Sequence, residues 1–379
     1  MAFAHSFEAN PHWLPRNAGQ RLDQVPGEDG WPVVGTFLQQ LRDPPGFTRR
    51  MVERYGLIYR TRGFGLRFVH LLGPDANELV LFDRDKVFSS EQGWGPTLNL
   101  LFPRGLMLMD GETHRSHRRT LSVAFKPAPM RRYAEAINRG VAARIAAWSG
   151  RDILFYKEIK QLTLDLAADA FLGLPLGAEA ERINQAFVDE VQASIAVSRL
   201  PLPFTRMRRG VKARAYLVDL FAGEVARRRE RDGDDLFTQI CQARGEDGAL
   251  LTADQIADHM NFLMMAAHDT ITSSLTAAVW QLGKHPAWQQ RLAEEALGLE
   301  AEALDYDRLD ALPLADMAFR EALRLMAPVP SLPRRAVKPF RFGGYAFEAG
   351  TFVGVQPAFT HRMPELWPEP ERFNPLRFE

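Results

Sequence analysis

The chain has 379 residues, of which 46% are hydrophobic and 25% are charged, as in an ordinary soluble globular protein. Its 47 basic side chains equal its 47 acidic ones, so net charge gives no reason to expect nucleic acid as a partner. The single cysteine, Cys241, excludes an internal disulfide and fits a reducing, cytoplasmic location. No run of about 18 apolar residues occurs and residues 1–10 lack a signal-peptide pattern, so neither a membrane span nor a signal peptide is predicted.

The first hundred residues combine a helix with short strands. Apolar residues at helical spacing predict a helix over 45–55, and strand-like runs follow at 58–61 and 68–72. A long irregular stretch is predicted over 89–108, where Trp94 stands between two glycines. Long loops in compact proteins are often lids over a functional site.

The chain is then predicted to be mostly helical as far as residue 326. Apolar residues recur at three- and four-residue spacing over 112–124, 130–148, 158–172, 179–196, 210–230 and 253–284. Residues 340–347 and 351–355, joined through Ala349-Gly350, are predicted to form a β-hairpin. No composition shift marks a linker, so we expect a single, mainly α domain with small β-sheets over 1–379.

The helix predicted for 253–284 has a polar step in its apolar middle. Thr252 and Gln255 form a capping box at its start, and residues 261–267 are apolar nearly all round, which predicts burial. Asp269 and Thr270 follow directly. An ionised Asp in a core is costly, and a mid-helix Thr can bond to the carbonyl four residues earlier and bend the helix. Two interpretations remain open: a kinked helix presenting both groups to a cavity, or a hydrophilic patch on a partly exposed helix.

Two pairs of side chains outside the long helix each share a helix face. Glu321 and Arg324 stand three residues apart and can pair, although exposed pairs of this kind are common and contribute only about 0.3 kcal/mol. His114 and Arg118 lie one turn apart and face the same way. The alternative for the second pair is a basic surface helix, whose other basic side chains are predicted to lie at the surface: Arg115, His117 and Arg119.

Taken in chain order, these features resemble the cytochrome P-450 family, the haem-thiolate monooxygenases. Ala266-Ala-His-Asp-Thr270 is similar to the family's oxygen-activation motif, with Ala267 in place of the usual glycine and Ile271 in place of the usual second hydroxyl residue. Four further motifs match across nearly the whole chain: His114-x-x-x-Arg118, Glu321-x-x-Arg324, Arg334-x-Ala336 and Pro370-x-Arg372-Phe373. The resemblance implies the family's mainly α fold around a long central helix.

The resemblance also implies roles for these side chains. Thr270 would hydrogen-bond dioxygen at the haem, and Asp269 would help to deliver protons. Glu321, Arg324 and Arg372 would form a buried ion network. The residues expected to hold heme b (iron protoporphyrin IX) are His114, Arg118, Ala266 and Arg334. Because strand side chains alternate in direction, Arg335 is a possible register alternative to Arg334.

The family's iron is held by a Cys thiolate shortly after the Pro-x-Arg-Phe segment. That loop is expected beyond Glu379, so the sequence is interpreted as C-terminally incomplete, and Cys241 is predicted to be a small buried residue of a helix. Two interpretations stay open. The parent protein is a working monooxygenase that continues past this point, or the chain is a haem-free, non-catalytic fragment or small-molecule or lipid-binding protein.

The resemblance implies a hydrophobic small-molecule substrate, O2 and an external electron donor. The predicted pocket residues are Trp94, Leu98, Phe262 and Met265, with the 200–204 connection as part of a lid. Leu98 is equally well interpreted as core. The chain has no cysteine set for an iron–sulfur cluster and no Gly-x-Gly-x-x-Gly start of a nucleotide fold, so a separate ferredoxin or flavodoxin-like donor is expected. An acidic donor would be steered by Arg115, Arg119 and Lys126.

Overall fold

The computed structural model describes residues 10–173, 178–301 and 303–379, and it is mainly helical with two small β-sheets, as predicted. The α-helices within these ranges are, in chain order, α1 (Phe37–Arg42), α2 (Pro44–Tyr55), α3 (Pro74–Phe82), α4 (Ser90–Leu98), α5 (Gly111–Leu121), α6 (Pro127–Trp148), α7 (Phe155–Leu172), α8 (Ala178–Ser194), α9 (Arg206–Glu230), α10 (Leu236–Gln242), α11 (Ala253–Lys284), α12 (Pro286–Leu297), α13 (Pro313–Leu325) and α14 (Pro357–Thr360). The β-strands are β1 (Gly27–Glu28), β2 (Ile58–Gly63), β3 (Leu66–Leu71), β4 (Phe88–Ser89), β5 (Leu332–Ala336), β6 (Phe340–Phe342), β7 (Tyr345–Phe347) and β8 (Phe352–Val355).

The chain divides into two compact units, each of which gathers segments that are distant in sequence. Unit 1 contains residues up to Asn99, Met107–Gly111 and Val329–Arg372. Unit 2 contains Leu100–Leu106, Glu112–Pro328 and Phe373–Glu379. No helix in the described ranges is long and apolar enough to cross a membrane.

Unit 1 is organised around a six-stranded sheet with the order β1-β2-β3-β8-β5-β4. The β2–β3 hairpin is antiparallel, and β8 pairs parallel with β3 and antiparallel with β5. The predicted hairpin between 340–347 and 351–355 is wrong. Instead β6 and β7 pair with each other across Gly343-Gly344, because both glycines have positive φ and close a two-residue turn. β8 is thereby available to the larger sheet.

A short helix, α4, replaces the first half of the irregular stretch predicted for 89–108. Its start is well capped, since the Ser89 hydroxyl accepts from the N–H of Gln92 at 2.9 Å. The carboxylate of Asp110 accepts from the N–H of Ser90 at 2.8 Å, so a second unpaired backbone donor is satisfied. The local sequence therefore favours a helix here despite its two glycines.

Unit 2 is helical and is built around α11, whose neighbours include α7, α9 and α13. The predicted helices of this unit are confirmed as α5 to α9 and α11, with ends that differ by a few residues. The capping box of Thr252 and Gln255 is also confirmed. α11 has 32 residues and therefore spans about 48 Å at 1.5 Å per residue. Its first half is buried in the core of the unit, alongside Leu217 and Phe221 of α9.

Candidate functional site

The polar step predicted for the long helix lies in the middle of α11. The hydroxyl of Thr270 donates to the carbonyl of Ala266 at 2.7 Å, which confirms the predicted bond to the preceding turn. α11 nevertheless remains one continuous helix. Its side chains from Met265 to Ala267, and again Asp269 and Thr270, are partly exposed, whereas most residues before Met265 in this helix are buried. The small alanines thus leave an accessible strip beside the threonine hydroxyl.

Asp269 is half-buried between positive or polar neighbours. Its Oδ1 lies 3.1 Å from Nδ1 of the buried His268 ring and 4.0 Å from Nζ of Lys160 on α7. Burial alone would raise the pKa of the Asp269 carboxyl, but His268 and Lys160 outweigh burial and lower that pKa below its usual value. Asp269 is therefore ionised at neutral pH, and Lys160 is a neighbour that sequence reasoning missed because it is more than a hundred residues away.

α5 carries one arginine whose charge is not balanced within the described residues. Arg115 pairs with Glu112 at 2.5 Å, and Arg119 pairs with Glu246. Arg118 is exposed and forms no ion pair with the described part of the chain, and His114, one turn earlier, is half-buried. α5 therefore offers a free guanidinium at the position where the resemblance expects a propionate ligand.

His117 corrects the expectation that the other basic side chains of α5 lie at the surface. It is buried, and its Nδ1 lies 2.7 Å from Nε2 of His259 on α11. Burial lowers the pKa of His117, and burial together with the neighbouring His117 lowers the pKa of His259 to about 3. The pair is thus neutral at physiological pH and joins α5 to α11.

Glu321 of α13 is fully buried and receives several donors. Arg324 donates from Nε to its Oε2 at 2.6 Å and from Nη2 to its Oε1 at 2.8 Å, so the pair is bidentate. The N–H of Asn374 donates to Oε1 at 2.9 Å. The pair expected from the Glu-x-x-Arg spacing is therefore present in unit 2, and it is buried, as the family resemblance implied.

The second arginine on Glu321 is Arg377, and this corrects the role given to Arg372. Nε of Arg377 lies 3.3 Å from Oε1 of Glu321, and its side chain is only 10% exposed. Arg372 belongs to unit 1, is 65% exposed and pairs with Glu369 at 2.9 Å. The sequence contains two consecutive Pro-x-Arg-Phe copies, at 370–373 and 375–378, and the second copy was the overlooked signal.

In unit 1, the two neighbouring arginines of β5 have different environments. Arg335 is fully buried and donates to the carbonyls of Leu14, Pro15 and Gly350 at 2.7, 2.6 and 3.1 Å. Arg334 is half-buried, and among the described residues its Nη1 donates to the carbonyl of its own neighbour, Pro333, at 2.9 Å. Of these two neighbours, Arg334 rather than Arg335 is therefore the side chain available to a ligand.

The surroundings of Arg334 depend on close packing of α4 against β5. A Cβ on Gly93 would come within 2.5 Å of the Arg334 Cα, so only glycine permits this approach. Burial lowers the pKa of the Arg334 guanidinium, and the carboxylates of Asp110 and Asp83 partly oppose this effect. Arg334 forms no ion pair with a carboxylate of the described residues, and a partly desolvated cation of this kind is suited to an anionic ligand group.

Two of the four predicted pocket residues are buried by packing within their own units, and the other two are partly exposed. Leu98 is 8% exposed and belongs to the buried core of unit 1, whereas Trp94 is half-buried. In unit 2, Phe262 packs edge-to-face on Phe102, with ring centroids 6.3 Å apart. Met265 is partly exposed beside the accessible strip of α11. Trp94 and Met265 are thus the better candidates for ligand contact.

Cys241 agrees with its interpretation as a small buried residue. It lies on α10 and is fully buried. Burial raises the pKa of its thiol to about 12, so the side chain is protonated at neutral pH. Features of each unit, taken separately, fit haem, a flat cofactor with two carboxylates. In unit 2 these are the Arg118 guanidinium, which forms no ion pair with the described residues, and the small side chains at 266 and 267. In unit 1 it is the half-buried Arg334.

Comparisons with known proteins agree with this fit. A family model described as Cytochrome P450 matches residues 25–379. A cytochrome P450 136 sequence of Mycobacterium tuberculosis is 38% identical over 367 residues, covering 95% of this chain and 74% of that protein. Abscisic acid 8'-hydroxylase 1 of Oryza sativa is 29% identical, covering 94% of this chain and 77% of that protein.

A solved structure gives the same result at the level of the fold. The retinoic acid-bound cyanobacterial CYP120A1 superposes with a TM-score of 0.84 at 29% sequence identity, covering 93% of this chain and 81% of that chain. The family match extends over most of the chain and includes all the motifs described above. The chain therefore belongs to the cytochrome P450 family of haem-dependent monooxygenases.

Proposed function

We propose that this monooxygenase oxidises a largely hydrocarbon small molecule, with heme b as its cofactor and electrons from a separate ferredoxin or flavodoxin-like protein. The observation that carries the proposal is the accessible strip on α11, where Ala266 and Ala267 lie beside the Thr270 hydroxyl and the Asp269 carboxylate. Two further predictions from the sequence remain predictions: that residues 1–379 form one domain, and that the protein is cytoplasmic.

Haem, when bound, supplies the chemistry that activates dioxygen. Arg118 is proposed to hold one propionate, since its guanidinium forms no ion pair with the described residues. Arg334 is proposed to hold a propionate through guanidinium donors other than the Nη1 that donates to Pro333. His114 is proposed to add a further donor. Ala266 is proposed to lie against the ring, because a larger side chain at this position would occupy the accessible strip of α11.

Asp269 and Thr270 are proposed to control the supply of protons. Asp269 is ionised at neutral pH and has the Lys160 ammonium 4.0 Å away, so it can accept a proton from solvent on that side and release it toward the site. The Thr270 hydroxyl donates to the Ala266 carbonyl and can therefore offer its oxygen lone pairs to a substrate or water.

The substrate class is proposed from the predicted pocket residues of each unit and from two relatives. Met265 in unit 2 and Trp94 in unit 1 offer partly exposed apolar surface without charge, whereas Phe262 and Leu98 are buried apolar residues of the same two units. Two of the relatives that are named for a ligand are an abscisic acid hydroxylase and a retinoic acid complex, and both molecules are mostly hydrocarbon. Both observations favour an apolar substrate with few polar groups.

The proposed steering of an acidic electron donor rests on fewer charges than the sequence indicates. Arg115 and Arg119 are each paired with a glutamate, so each pair is close to neutral. Lys126 is exposed and forms no ion pair with the described residues. We therefore expect electron transfer to depend only weakly on ionic strength at this surface, and K126Q to lower its rate about twofold or less.

The experiment that tests the proposed function is substrate oxidation by wild-type protein and by T270A. A panel of hydrocarbon-rich acids and alcohols is screened first for a shift of the haem absorption band. With a bound substrate, T270A should retain the shift but consume reducing equivalents with a product yield about a hundredfold lower, the lower end of the 10²–10⁴-fold that positioned proton transfer contributes. Equal product yields in T270A and wild type would contradict the role given to this hydroxyl.

A further inference from the structure

The β2–β3 hairpin of unit 1 places two arginines directly opposite each other. Arg62 and Arg67 are partners in the antiparallel register, so their side chains share one face of the sheet. Arg60 lies two residues before Arg62 and points to the same face. Like charges in this arrangement are destabilising unless something neutralises them.

The neighbouring carboxylates neutralise only part of this charge. Arg67 donates to Asp23 at 2.9 Å and to Asp29 at 3.2 Å, and Arg60 also pairs with Asp29. Arg62 forms no ion pair with any residue that the structure describes, although its side chain is half-buried. The hairpin therefore retains an uncompensated guanidinium.

A pocket of about 500 Å³ opens at this face, and Arg62 and Arg67 are among its lining residues. Arg16 also lines it and donates from Nη2 to the carbonyl of Phe64 at 2.7 Å, without an acidic partner in the described chain. The side-chain oxygen of Gln20 accepts from the Arg67 N–H at 2.7 Å, so its amide nitrogen is oriented as a donor, and it has no acceptor among the residues that the structure describes. The pocket thus presents donors and positive charge, and its lining, as far as the chain is described, includes no carboxylate.

We propose that this arginine pocket, formed by Arg16, Gln20, Arg62 and Arg67, binds a phosphate group. Arg16 and Arg62 contribute two uncompensated positive charges, which match a phosphate dianion. A guanidinium also binds phosphate oxygens in a bidentate manner that an ammonium cannot reproduce. The phosphate belongs either to a free phosphate compound or to the headgroup of an acidic phospholipid. This site goes beyond the oxygenase reaction, since none of its residues has a role there.

The test uses the haem-loaded protein and inorganic phosphate as the probe. Isothermal titration should show binding to wild type that weakens about tenfold or more in R62Q, the loss expected for one charged hydrogen-bonding group. The matched control is R49Q, because Arg49 is an exposed arginine on α2 of the same unit and lies outside the pocket. R49Q should bind phosphate as wild type does.

A second measurement separates a binding role from a structural one. Without phosphate, R62Q should melt at the same temperature as wild type or higher, because the substitution removes repulsion with Arg67. Added phosphate should raise the melting temperature of wild type and R49Q but not of R62Q. If R62Q does not fold, R16Q serves in both measurements.

Vesicle flotation distinguishes the two sources of the phosphate group. Binding of free phosphate that R62Q weakens supports a soluble phosphate compound. Binding only to phosphatidylcholine vesicles that contain phosphatidic acid, again weakened in R62Q, supports a lipid headgroup. Absence of both kinds of binding, or equal binding by R62Q and wild type, would overturn the proposal.

Discussion

Arg377 provides a sharp test of the buried network around Glu321. The carboxylate of Glu321 is fully buried, and the Arg377 side chain that reaches it at 3.3 Å is 10% exposed, so water cannot easily replace the lost donor. A hydrogen bond to a charged group contributes about 1.5–3 kcal/mol, and R377A should lower the free energy of unfolding by about this amount. R324A should cost more, about 3–5 kcal/mol, because it removes the bidentate partner of a buried charge.

The assay is urea unfolding followed by circular dichroism, with R320A as the matched control. Arg320 lies on the same helix as Glu321 but pairs with Asp316 at the surface, where both side chains are more than half exposed. Its loss should therefore change the free energy of unfolding by about 0.5 kcal/mol or less. A loss in R377A no larger than in R320A, or smaller than in R372A, would refute the assignment of Arg377 as the second partner.

The other predictions concern protons, haem and thiol chemistry. D269N should slow product formation about tenfold or more at unchanged substrate affinity, measured as kcat and KM, because it removes the ionised carboxylate beside Lys160. R118Q should retain less haem after gel filtration than R115Q, whose arginine is already paired with an acid. The pKa of His259 falls from 6.5 to about 3 on folding, so between these pH values the unfolded state binds a proton that the folded state does not. The free energy of unfolding of wild type should therefore fall by about 1.4 kcal/mol per pH unit below 6.5, relative to that of H259Q. Urea titrations of both proteins at pH 7 and pH 5 measure this difference. Iodoacetamide should leave Cys241 unmodified in native protein at pH 8 and alkylate it in urea, as followed by mass spectrometry.

The sequence was most informative where the determining interactions are local. Apolar spacing predicted the helices of unit 2 and the position of Asp269 and Thr270 in the middle of α11, because helical periodicity needs only neighbouring residues. The capping box at Thr252 was predictable for the same reason. Strand pairing was not. β8 lies between β3 and β5, which are far apart in sequence, and no local pattern specifies those partners.

Side-chain partners were predictable only when their spacing was unique. Glu321 and Arg324 lie on one helix face, and their pairing followed from that spacing. The choice between Arg372 and Arg377 did not, because both belong to a Pro-x-Arg-Phe copy and burial alone distinguishes them. The burial of His117 depends on His259, which is 142 residues away, and could not be derived from the amphipathic pattern of α5.

The bonds of Arg335 have a practical consequence for anyone who shortens this protein at its N-terminus. Its Nη1 and Nη2 donate to the backbone carbonyls of Leu14 and Pro15, and its side chain is fully buried. Deleting the segment through Pro15 would remove two hydrogen-bond acceptors from the buried Arg335 guanidinium, which should lower the free energy of unfolding by several kcal/mol. Expression boundaries, protease sites and affinity tags should therefore be placed before residue 10, so that the leading segment stays attached to the sheet.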